Sequence, residues 1–122
     1  MISFKALEVE GCYVIPIETG PTQRGVPDLF ISKHKDVRDG RYLWCELKIV
    51  SPEQIKEPRS AKQVIRQNEM RRARIRVLNA FDVRDSKDNN CGYRIMHYSM
   101  DQQDEFIYLW DLVNYILINL ES

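Results

Sequence analysis

The chain has 122 residues, 43% of them apolar and 30% charged, which suits one packed domain over 1–122 and excludes a disordered chain. Its 18 Lys and Arg balance 18 Asp and Glu, so bulk-charge coating of nucleic acid and an acidic solvating tail are both excluded. The apolar runs fall short of the roughly 18 residues of a membrane span, the N-terminal residues read as lacking a secretory signal, and Cys12, Cys45 and Cys91, odd in number and without paired spacing, fit a reducing cytoplasm.

In chain order, residues 2–10 read as a short helix, with Phe4 and Leu7 on one side and Glu8 and Glu10 on another. Residues 13–17 read as a strand, which Pro16 assigns to an edge or a strand end. A turn-rich loop over 19–25 leads to a second strand over 26–32. Asp39-Gly40 marks a hairpin-like turn before a third strand over 41–50. After a loop from Ser51-Pro52 to Pro58, Met70, Ala73, Val77, Ala80 and Phe81 recur at helical spacing and predict one long helix over 60–81. A polar loop over 82–92, a strand over 93–98, a turn over 101–104, a short strand over 105–108 and a closing helix over 111–120 complete a small α/β domain. The closing helix, with Tyr115, Ile116, Leu117 and Ile118, is apolar enough to be either core or half of an oligomer interface.

The zero net charge hides an asymmetry. Between 59 and 76 there are seven basic residues (Arg59, Lys62, Arg66, Arg71, Arg72, Arg74, Arg76) against one acid, Glu69. Beyond Arg94 there is no Lys or Arg, while Asp101, Asp104, Glu105, Asp111 and Glu121 are all acidic. A local basic stripe can contact phosphates even on a neutral chain, and it can equally be a solvated helix face.

The chemistry concentrates in Gly25-Val26-Pro27-Asp28-Leu29 and Trp44-Cys45-Glu46-Leu47-Lys48. Glu46 and Lys48, two apart on a strand, project from one face, while Cys45, Leu47 and Ile49 point to the other, toward a core. If the second and third strands pair, Asp28 and Glu46 converge at one edge of the sheet. Two convergent carboxylates favour a hard divalent cation, Mg²⁺ or Mn²⁺, with the Leu47 carbonyl as a further oxygen ligand. A cation there polarises a phosphoryl oxygen, and Lys48 holds the attacking water or offsets transition-state charge. The plainer reading is a turn aspartate and a solvated Glu-x-Lys pair.

These segments, with a following helix that carries Gln63 and Gln67, resemble the PD-(D/E)XK nuclease superfamily. Within it they are most similar to the VRR-NUC family of phage, bacterial and eukaryotic nucleases, with the archaeal Holliday junction resolvases as cousins. The resemblance runs from the first helix to about Phe81, and nothing beyond that matches. It implies a restriction-endonuclease-like core, a central mixed sheet flanked by helices, with the metal at one edge. It assigns Asp28 and Glu46 to the metal and Lys48 to catalysis. A helix glutamine completes such sites; Gln67 is the first candidate and Gln63, one turn away, the second. The family's glutamine follows the E-x-K strand more closely, which keeps Gln54 as a minor candidate. An acid on the first helix, Glu8 or Glu10, is the implied extra metal contact.

The activity implied is hydrolysis of DNA phosphodiesters, on branched DNA such as a four-way junction, by a homodimer in the cytoplasm, that of the host if the chain is from a phage. Arg24, Arg59, Lys62, Arg66 and Gln63 are the expected DNA contacts. Glu18, His34 and His97 receive no role, and Trp44 and Trp110 read as core or interface. The competing expectation is a non-catalytic nucleic-acid-binding module on the same fold, and a third is an interaction protein that docks through the closing helix.

Overall fold

The structure is a computed structural model and describes residues 5–16, 27, 29–32, 42–97 and 103–121, with His97 and Glu121 described by their backbone. Six strands form one sheet in sequence order: β1 (Tyr13–Pro16), β2 (Leu29–Ser32), β3 (Tyr42–Val50), β4 (Val77–Arg84), β5 (Asn90–His97) and β6 (Gln103–Phe106). Every neighbouring pair is antiparallel except β3 and β4, which run parallel. A parallel pair needs a crossover rather than a tight turn. That crossover holds a 3₁₀ turn (Pro52–Gln54) and helix α2 (Ala61–Arg72). Helices α1 (Lys5–Val9) and α3 (Leu109–Glu121) complete the α/β fold, a mixed sheet flanked by helices, as the sequence predicts.

The two-residue period of the strands sorts side chains between two faces. Leu29, Ile31, Leu43, Cys45, Leu78, Ala80 and Ile95 face α1 and α3, where Leu7, Leu112, Val113, Ile116 and Leu120 close the main core. The closing helix is therefore a core helix on that side, and its outward Trp110 and Ile118 are exposed. On the opposite face Val50, Phe81, Val83 and Met96 form a smaller core under Ile55 of the crossover. Cys12 and Cys45 are buried free thiols. No helix of the described residues is long and apolar enough to cross a membrane.

The expected helix over 60–81 is two elements. It stops at Arg72, where Ile75 N–H donates to Met70 O (2.9 Å) and Arg74 N–H to Arg71 O (3.0 Å), with Arg74 at φ 60°. That is a Schellman stop, made here without glycine. Val77, Ala80 and Phe81 then belong to β4, where Ala80 and Phe81 point to opposite faces. β4 is an interior strand buried from Val77 to Val83, so its apolar run resembles a buried helix segment in sequence. The expected loop over 82–92 is likewise shorter, because β4 continues to Arg84 and β5 begins at Asn90. Ile49 is exposed rather than core. The expected loop over 19–25 and the Asp39-Gly40 turn lie outside the described residues.

Candidate active site

β3 has β2 on one side and β4 on the other. Glu46 and Lys48 therefore lie on a sheet face over interior strands, not at the sheet edge that the sequence suggested, because β4 extends the sheet past them. Glu46 pairs in register with Asn79, and Lys48 with Phe81. The N-terminal end of α2 lies over this face.

The local sequence explains how α2 reaches it. Ser60 caps the helix: its Oγ accepts the Gln63 N–H (3.2 Å), and Gln63 Oε1 accepts the Ser60 N–H (2.8 Å). This capping box satisfies two of the free donors at the helix start. It also turns the Gln63 side chain, whose Nε2 donates to Glu46 Oε1 at 3.0 Å. Lys48 Nζ donates to the Pro58 carbonyl at 2.8 Å and to Gln63 Oε1 at 3.5 Å. Glu46, Lys48 and Gln63, each half-buried, thus form one hydrogen-bonded group.

Gln67, the first sequence candidate, does not meet Glu46 in this structure. Its Nε2 donates to Asn79 Oδ1 (2.6 Å), and its Oε1 accepts from Asn79 Nδ2 (2.8 Å) and from Arg59 Nη1 (3.2 Å). Arg59 also bonds the Glu57 carboxylate through Nε and Nη2. That Arg59 side-chain hydrogen bond holds the Glu57 carboxyl below its usual range. Arg59 is thus tied into the fold, with its side chain 11% exposed. Asn79, Ser60 and the Pro58 carbonyl are parts of the site that the sequence reading missed; a lone Asn in the apolar run of β4 was the available sign.

The remaining candidates are dispersed. Lys62 is exposed on α2, and Arg66 pairs loosely with Glu69 at 3.5 Å. Gln54 caps the 3₁₀ turn by accepting the Ser51 N–H. Glu8 and Glu10 are exposed on and after α1, in the layer on the other side of the sheet from Glu46. Leu47 lies in the β3–β4 ladder opposite Ala80. Asp28, Arg24, Glu18 and His34 lie outside the described residues; Leu29, next to Asp28, pairs with Cys45, next to Glu46. Among the described residues, no three His, Cys, Asp or Glu side chains gather to hold a metal.

The chain is distantly similar in structure to the Holliday junction resolvase Hjc of the archaeal hyperthermophile Archaeoglobus fulgidus. Identity is 16%, over 89% of this chain and 86% of that one, with a TM-score of 0.49. No protein-family model and no curated protein matches the sequence.

Proposed function

We propose that this chain is a metal-dependent nuclease that hydrolyses DNA phosphodiester bonds, with Asp28, Glu46, Lys48 and Gln63 as its working residues. The observation that carries the reading is the single hydrogen-bonded group of Glu46, Lys48 and Gln63 on one sheet face. Lys48 bonds the Pro58 carbonyl and Gln63 rather than closing a Glu-x-Lys ion pair, so its ammonium is kept beside the carboxylate as a separate charge.

The donor chemistry suits Mg²⁺ or Mn²⁺: Glu46 supplies carboxylate oxygen, and Asp28, one residue before the Leu29–Cys45 pair, is the second carboxylate in this reading. Such a cation supplies Lewis acidity at the phosphoryl oxygens. Gln63 orients Glu46 by donating to Oε1, and the Lys48 ammonium offsets negative charge that grows on the phosphoryl group. Arg24, Lys62 and Arg66 serve backbone phosphates, which fix orientation without reading sequence. Branched DNA as substrate, a homodimer with two sites and a cytoplasmic setting follow from the family resemblance of the sequence.

The test is a cleavage assay on labelled four-way junction, flap, single-stranded and duplex DNA with Mg²⁺, Mn²⁺ or EDTA, beside Asp28→Asn and Lys48→Ala. Metal-dependent cutting that both substitutions abolish is the expected result. Binding without cutting, across all metals and substrates, overturns the enzyme in favour of a non-catalytic nucleic-acid-binding module.

A further inference from the structure

The nuclease reading leaves unused a pair of deeply buried amides beside the site. Asn79 is 1% exposed and Gln67 7%. Gln67 is the one fully buried residue of α2, so no buried apolar stripe seats this helix on the sheet. A buried polar pair with every bond made specifies one arrangement, because any shift leaves its groups unpaired.

Position gives the pair its consequence. Asn79 stands opposite Glu46 in the β3–β4 register, and Gln67 lies one turn beyond Gln63 on the same side of α2. The two glutamines offer the sheet identical chemistry. An ionised Glu46 only accepts, whereas Asn79 needs a donor and an acceptor together. Reciprocal bonding to Asn79 commits Gln67, and Gln63, already turned by Ser60, is left to donate to Glu46. The same pair extends to Lys48: Arg59 bonds Gln67 Oε1 and directly follows Pro58, whose carbonyl takes the ammonium.

We infer that Gln67 and Asn79 are the positioning pair of this site, setting the seat of α2 so that Gln63 meets Glu46 and the segment from Pro58 to Ser60 holds Lys48. This rests on the nuclease reading of Glu46 and Lys48 and adds residues that touch neither metal nor DNA.

The experiment compares wild type, the double variant Gln67→Leu/Asn79→Leu and the exchange Gln67→Asn/Asn79→Gln. Asn79→Leu alone strands a buried amide and is expected to lower Tm, so the double variant carries the test. Removing both amides together leaves stability little changed. Its kcat on DNA is expected to fall on the order of a hundredfold through misplacement alone, with KM unchanged and the Gln63 side-chain amide resonance moved in the ¹H–¹⁵N spectrum. The exchange is expected to restore both. A double variant with wild-type kcat and an unmoved Gln63 resonance overturns the inference, since a purely structural pair predicts that activity follows Tm. If the wild type cuts no substrate, the nuclease reading fails by itself, and the Gln63 resonance alone decides the pairing: moved supports it, unmoved overturns it.

Discussion

Gln63 serves two structures with one amide. Its oxygen closes the capping box with Ser60 and its nitrogen holds Glu46, so helix initiation and carboxylate orientation are one event. Gln63→Ala should therefore lower stability by about 1 kcal/mol through the cap and also slow metal-dependent cleavage. Ser60→Ala should show the same loss of stability, about 1 kcal/mol by thermal melting, with a smaller loss of rate, because Gln63 keeps its bond to Glu46. Lys48→Met is the sharper case: loss of a charge aimed at the reacting phosphoryl should lower kcat by about 10² or more while DNA binding measured in EDTA stays near wild type. At this scale much was legible. The Glu-x-Lys spacing on a strand places both side chains on one face, and they are on one face. The choice between Gln63 and Gln67 was not legible from helical spacing, since residues one turn apart share a face. The sign that separates them is Ser60-x-x-Gln63, which starts the helix and directs its third residue back over the cap.

At the scale of elements, α2 and β4 show where sequence patterns give out. Ala80 and Phe81 sit at helical spacing from Met70 and Val77, and an interior strand covered on both faces leaves no alternation to contradict that reading. The stop that separates the two elements depends on Arg74 in the left-handed region, a conformation that sequence alone assigns to glycine. Arg74→Gly should relieve this strain and raise stability by about 0.5–1 kcal/mol in thermal or denaturant melts, with cleavage unchanged. Strands next to recognisable turns were easier: β1, β2, β3 and the end of β5 fall inside their expected spans. The exposed side of α2 carries its own prediction. Lys62 and Arg66 face away from the Gln67–Asn79 seat, so replacing either with Ala should weaken binding similarly for every DNA sequence. Each loss should reduce the slope of log affinity against log salt by about 1, read by fluorescence anisotropy in EDTA across a salt series.

At the scale of the whole molecule, the sheet separates two environments. One face is an apolar layer under α1 and α3, and the other holds the amide and charge network under α2. The apolar side also contains a buried acid, Asp82, at the end of β4 where the register with β5 shifts. Burial works to raise its carboxyl, but hydrogen bonds from Arg84 Nε and Nη2 and from Asn90 Nδ2 (2.6 Å) prevail and hold it below its ordinary value. The sign of the linkage follows. Below its ordinary value and above its lowered one, the unfolded chain binds a proton that the folded chain does not, so stability rises with pH there. The stabilisation from Asp82 is complete above the ordinary carboxylate value near 4 and is lost as pH falls through the lowered one. Glu57, lowered by Arg59, acts with the same sign and more weakly because its side chain is half exposed. Asp82→Asn should lower Tm at neutral pH by roughly 5 °C, since the Arg84 guanidinium loses its carboxylate. It should also flatten the fall in Tm between about pH 4 and pH 2, because the group that takes up the proton is gone. Thermal melts of both proteins across that range decide it, and an equally steep acid limb in Asp82→Asn would assign the acid sensitivity to other carboxylates.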